Sequence, residues 1–113
     1  KMDECPSAEG HWRLSGTVDI EIARSEGYLT VKHPDLASPI VMDGATREIE
    51  QSSTGQRPVV TGTCSKQLIK ITYKSGQEVI SQSWAVDLEK DSIVISESSA
   101  EGKKTILGSR SSN

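Results

Sequence analysis

Glu78-Val79-Ile80-Ser81-Gln82-Ser83-Trp84-Ala85-Val86-Asp87-Leu88 is the stretch that decides the fold. At a period of two it places Ile80, Gln82, Trp84, Val86 and Leu88 on one face. Val79, Ser81, Ser83, Ala85 and Asp87 fall on the other. A face of large, mostly apolar residues opposite a face of small, polar ones describes a long strand with one side against a core. Lys74-Ser75-Gly76-Gln77 and Glu89-Lys90-Asp91 bracket it with turn residues, so it pairs with both sequence neighbours at the centre of an antiparallel sheet.

The same alternation extends outward in both directions. Upstream, Val59 to Cys64 reads as a strand, followed by Gln67 to Tyr73 with Ile69, Ile71 and Tyr73 on one face. Downstream come Ser92 to Ser96, with Ile93 and Ile95 inward, a turn at Gly102, and a last strand from Lys103 to Arg110. Nearer the start, Gly10 to Leu14 opens the ordered domain. Thr17 to Arg24, with Val18, Ile20 and Ile22 inward, then forms a hairpin with Tyr28 to His33 through Ser25-Glu26-Gly27. Ile40-Val41-Met42 is a short strand closed by Asp43-Gly44. Thr46 to Gln51 carries one apolar residue, Ile49, and reads as either an edge strand or a helical turn. No helix longer than a turn or two and no internal repeat emerges.

Eight or more strands joined by hairpins make a meander, which hides its edges by closing into an up-and-down barrel or by folding into a β-sandwich. The expected fold is therefore all-β and single-domain, a barrel with the sandwich as alternative. Residues 1–9 form a polar N-terminal segment, 10–110 the β domain and 111–113 a frayed tail. At 113 residues there is room for one modest core. Apolar residues are 34% and aromatics 4%, with no Phe, so Ile, Val and Leu must fill it.

The formal net charge of -3 and the acidic pI near 5.4 argue against general binding to nucleic acid or anionic membrane. The chain has no run of about 18 apolar residues, so membrane insertion is not expected. It opens Lys1-Met2-Asp3 without a charged-then-apolar leader, so any signal peptide is expected to have been removed.

Cys5 and Cys64 match no metal or redox spacing. They form either one disulfide pinning the N-terminal segment to a strand, or two unrelated buried thiols. A small Ser/Thr-rich domain with a thin core gains from a staple, which favours the disulfide and an extracytoplasmic (secreted or periplasmic) location.

Gly10-His11-Trp12 has the Gly-x-Trp form that opens the first strand of lipocalins and avidins, and the chain resembles these calycin-type barrels at its ends and in one hairpin. The resemblance implies a basic residue late in the chain packed over Trp12, a role for which Arg110 is placed. Thr61-Gly62-Thr63-Cys64 and Gly76-Gln77-Glu78-Val79 followed by Trp84 are similar to a later avidin hairpin. There is no Thr-Asp-Tyr-like second lipocalin motif and no C-terminal helix. Only Trp12 and Trp84 stand where an avidin pocket needs several Trp residues, so biotin binding does not carry over. An immunoglobulin-like sandwich would need a Trp about a dozen residues after the first Cys and an Asp-x-Tyr-x-Cys before the second, and has neither.

Candidate sites follow from this frame. Gln82 beside Trp84 reads as a polar specificity group next to a Trp platform in a pocket, or as a core Trp with a Gln bonded to neighbouring backbone. The long irregular connections are 33–39 and 51–58, and recognition on a rigid β scaffold concentrates in such loops. They contribute His33, Asp35, Leu36, Gln51, Thr54, Gln56 and Arg57 as candidate binding residues. His11 and His33 with Cys5 or Asp35 are too few and too scattered for a zinc site. No Gly-x-Ser-x-Gly elbow or close carboxylate pair marks catalysis. Lys66, Lys70 and Lys74 line one strand face, with Lys103 and Lys104 elsewhere; they read as a solvated face opposite Asp19 and Glu21, or as a site for an acidic partner or phosphate. The expectation is a non-enzymatic binding protein without cofactor or metal. It acts on a protein partner through loops or a sheet edge, with carriage of a small apolar ligand inside the barrel as the alternative.

Overall fold

The computed structural model describes residues 5–65 and 67–111. Ten strands carry the chain: β1 Gly10–Leu14, β2 Val18–Ser25, β3 Tyr28–Lys32, β4 Ile40–Val41, β5 Thr46–Glu48, β6 Val59–Cys64, β7 Leu68–Ser75, β8 Glu78–Asp87, β9 Ser92–Ser99 and β10 Gly102–Arg110. All ten belong to one sheet in the order β4-β3-β2-β1-β10-β9-β8-β7-β6-β5, and every pairing is antiparallel. Every strand thus pairs with its sequence neighbours except β4 and β5, which do not pair with each other, and β1 pairs with β10, an up-and-down curled sheet that makes a half-barrel. Among the described residues there is no helix. The sandwich alternative fails because one continuous ladder runs through all ten strands.

The two edges, β4 and β5, are consecutive in sequence. Curling brings β4 against β6. There the Gly44 amide donates to the Gly62 carbonyl at 2.8 Å. Gly62 is required by this seam: a Cβ would stand 2.6 Å from Met42 Sδ and 3.1 Å from Ile40 Cγ2. Across the connection, Arg47 makes a forked contact to the Asp43 carboxylate at 2.9 and 2.7 Å, and the Ala45 amide also donates to it. The guanidinium, first, and that amide hold the Asp43 carboxyl down at about 2.

Side-chain parity follows the expected alternation where packing is dense. Ile69, Ile71, Trp84, Val86, Ile93 and Ile95 bury from β7, β8 and β9, and Trp12, Ile20, Ile22, Leu29 and Val31 bury from the first three strands. The Glu78–Leu88 reading is corrected at its end. β8 stops at Asp87 and Leu88 is 43% exposed, since the Asp87 carboxylate caps the following turn by accepting from the Glu89 and Lys90 amides. Thr46–Glu48 is the edge-strand alternative of the two left open, with Ile49 just beyond it buried in the core.

Asp19 pairs instead with Arg13 of the adjacent β1 at 2.8 Å, so the expected Lys row opposite Asp19 and Glu21 does not form. Three strands, β10, β9 and β8, separate β1 from β7 in the sheet, and Lys70 stands between Thr63 and Ser83. Lys66 and the residues at 1–4 and 112–113 lie outside the described residues. The Ser111 amide donates to the His11 carbonyl at 2.8 Å, extending the β1–β10 contact to that residue.

Candidate functional site

The half-barrel has two unlike ends. At one, Cys5 and Cys64 form a disulfide, fastening the N-terminal segment to the end of β6. Ala8, in that segment, is completely buried, and its carbonyl accepts from the Trp12 indole N–H at 2.8 Å. The Arg110 guanidinium lies 4.3 Å from the Trp12 ring centroid, a cation–π contact. It donates to the Glu9 carbonyl at 2.8 Å and to Asp91 at 2.9 Å. Gly10 makes room: its φ is +137°, and a Cβ there would stand 2.6 Å from an Arg110 guanidinium nitrogen. The resemblance expected Arg110 over Trp12, and that contact is present. This end is shut.

The other end is open. There a recess of about 250 Å³ lies between the irregular connections and the inner faces of β7, β8 and β9. Six of the candidate binding residues line it together: His33, Asp35, Leu36, Gln51, Gln56 and Gln82. Two described backbone contacts staple the connections to each other, a bridge pairing Leu36 with Gln51 and the Ala37 amide donating to the Glu50 carbonyl at 2.9 Å. Asp35 adds more. Its carbonyl accepts from the Ser52 amide, and its carboxylate accepts from the Ser53 amide and hydroxyl at 2.7 and 2.8 Å.

His33 Nδ1 accepts from the Asp35 amide at 3.0 Å. Burial pushes the His33 pKa below its ordinary value, against the pull of the Asp35 charge, so the ring is a neutral wall at neutral pH. Thr54 and Arg57 do not reach the recess. Thr54 ties its own turn by donating to Gln51 Oε1 and accepting from the Gln56 amide. Arg57 lies outside against Glu48 and Glu50, at 3.6 and 3.5 Å, where all three are well exposed.

Trp84 is 3% exposed and belongs to the core below the recess. Its indole N–H donates to Gln82 Oε1 at 2.9 Å, and Gln82 Nε2 donates to Glu97 Oε1 at 2.8 Å. Gln82 therefore joins both readings. It satisfies a buried Trp, through a side chain and not through backbone, and its remaining surface faces the recess. A separate, smaller cavity of about 150 Å³ lies beside it towards the β1–β2 turn, sharing His33, Tyr73 and Gln82 as walls and bounded by Leu14, Ser15, Val18, Trp84, Ile95 and Ile106.

Sequence reasoning missed Pro58, Tyr73, Ser75, Glu78, Ile80 and Glu97, which complete the lining. The signal for Glu97 was present: it continues the inward parity of Ile93 and Ile95, but ending that strand at Ser96 put it outside the sheet. β9 in fact runs to Ser99 and pairs Glu97 with Gln82. Tyr73 was placed on the inward face of its strand, but only the curvature of the sheet sets it beside Glu97. Burial first, and the Glu97 charge second, raise the Tyr73 hydroxyl to about 12, so it stays protonated at neutral pH.

Among the described residues no three His, Cys, Asp or Glu side chains gather in a way that would hold a metal ion. Nor is there among them a helix long and apolar enough to cross a membrane. No family model matches the chain, and a search of curated proteins finds no match.

Proposed function

We propose that the chain is a non-enzymatic binding protein that engages a protein partner through the open end of the half-barrel, with residues 33–39 and 51–58 as the rim. The observation that carries this reading is the stapling of the rim by Asp35: one side chain and its carbonyl fix both connections. A rim ordered before contact loses little conformational freedom on binding, which is what a recognition surface on a β scaffold requires. The recess is smaller than the roughly 300 Å³ at which clefts for drug-sized ligands begin, which ranks a protein partner above a carried small molecule. Small-ligand carriage is the second reading, and the neighbouring cavity against Trp84 favours it.

The Cys5–Cys64 disulfide supports an extracytoplasmic location, where such bonds persist. The meander with Arg110 over Trp12 supports a calycin-like architecture.

The test is affinity capture from secreted and periplasmic fractions of the source, comparing the unaltered chain with Leu36→Asp in the rim and with Glu89→Gln in the β8–β9 turn at the shut end. The expected result is a partner retained by the unaltered chain and by Glu89→Gln but lost by Leu36→Asp. Retention by all three places recognition elsewhere. A small molecule co-purifying in native mass spectrometry, with no protein partner, reverses the two readings.

A further inference from the structure

The recess at the open end is not neutral, and its charge is layered. Along the inner face of β8, Glu78, Ile80 and Gln82 descend from the mouth. The register sets Ser75 opposite Glu78, Tyr73 opposite Ile80, and Glu97 opposite Gln82. A group entering from outside therefore passes the Glu78 carboxylate, then an aromatic ring and the aliphatic Ile80, and meets the Glu97 carboxylate at the floor. Leu36 and Pro58 add apolar wall, and Asp35 a third acidic residue. None of the lining residues is a lysine or arginine, and His33 is held neutral.

Glu97 carries the argument furthest. Its side chain is only 17% exposed, so its charge has lost most of its hydration. Oε1 accepts from Gln82, whereas Oε2 has Lys104 at 3.6 Å, too long for a hydrogen bond, on a side chain that is itself 66% exposed. A half-buried carboxylate with one oxygen bonded and the other loosely paired is an incomplete counter-ion arrangement. A second cation brought in from the recess would complete it.

We propose that this recess binds an alkyl cation, the ammonium or guanidinium tip of a lysine or arginine side chain on the protein partner or of a free alkylamine, with Glu97 as its counter-charge. The proposal rests on the open end being the recognition surface. The apolar middle layer, with Tyr73 and Ile80 in its wall, suits an aliphatic stem, and the charge-assisted bond to Glu97 forms where solvent competes little. About 250 Å³, the room of roughly eight water molecules, accommodates one such side chain and not a bulky ligand.

The test is a titration followed by NMR of the isotopically labelled chain, reading the Trp84 indole N–H and the Gln82 side-chain amide, which border the floor. The probes are N-acetyl-lysine methylamide, N-acetyl-arginine methylamide, n-butylamine and the uncharged N-acetyl-norleucine methylamide. The cationic probes are expected to give saturable shifts that weaken with salt, and the norleucine probe none. Glu97→Gln, which keeps an acceptor for Gln82, should weaken binding about tenfold or more, the loss of one charge-assisted bond. Glu101→Gln in the β9–β10 turn should leave it unchanged.

Tighter binding of the blocked amino acids than of butylamine assigns the cation to a partner side chain, and the reverse assigns it to a free amine. Equal shifts with norleucine, no saturable shift with any cation, or unchanged affinity in Glu97→Gln overturns the cation site. Unchanged folding of Glu97→Gln is verified without probe by the Trp12 indole resonance at the shut end, whose bond is to Ala8. If that variant still captures the partner while Leu36→Asp does not, the open-end reading survives and only the cation proposal fails.

Discussion

The two ends of the half-barrel are built from the same alternating strands and serve opposite ends. At the shut end the polar groups of Trp12 and Arg110 are answered from within the chain: the indole by Ala8, the Arg110 guanidinium by Glu9, Asp91 and the ring itself. At the open end the inward positions turn polar, and the chain of bonds from Trp84 through Gln82 to Glu97 stops at a loosely paired oxygen. Stability is concentrated where the inward residues are apolar and cross-linked. The proposed recognition falls where they are polar and incompletely paired, a division expected of sites that trade stability for function.

If that contrast holds, damage at the shut end costs the most. Trp12→Ala removes a fully buried indole and leaves Arg110 over a void, and should destabilise by about 3–5 kcal/mol in chemical denaturation. A loss under about 1 kcal/mol would mean the shut end is no anchor. Trp84→Ala, in the core between the ends, should fall in the same range.

Replacing Cys5 and Cys64 by serine opens a link between residues 59 positions apart. Chain entropy alone puts that cost at about 4 kcal/mol, and about 2–4 is expected in practice. The reduction should appear in the denaturation midpoint with a rim that still binds. Loss of rim binding in the folded double variant would show that the two ends are coupled.

The open end should reveal itself through pH. The Tyr73 hydroxyl titrates near 12 when folded, against about 10 when unfolded. Its contribution is fully present below pH 10 and is lost as pH rises through 12, because the unfolded chain ionises first. After discounting for solvent at the mouth this amounts to about 1–2 kcal/mol. Tyr73→Phe should flatten the stability curve across that window, and an unchanged curve would mean the wall is wetter than the structure shows.

The smallest effect is on the acid side. The His33 pKa is depressed on folding, so its contribution is present above the ordinary value of 6.5 and is lost as pH falls below it through the folded pKa. Stability should decline as pH falls below 6.5, and His33→Gln should reduce that slope. A His33 imidazole that titrates by NMR at or above its ordinary value would contradict the buried neutral ring.

Most of the architecture was legible in the sequence because it is written locally. A period of two assigns faces without reference to any other strand, and short turns order the strands, so β6 was bounded as observed and β1, β3, β7 and β10 to within a residue or two. Cys5 and Cys64 carried the staple as one of two alternatives, and Gly10 to Trp12 with Arg110 carried the shut end by resemblance. The rim residues His33, Asp35, Leu36, Gln51 and Gln56 were legible as loop residues. That they share one recess was not, because Asp35 reaches Ser53 across 18 positions and no local pattern encodes such a bond. Glu97 and Tyr73 depend on sheet curvature, which sets neighbouring inward side chains at converging angles. Alternation states which way a residue points, and only the curl of the sheet decides what it meets there.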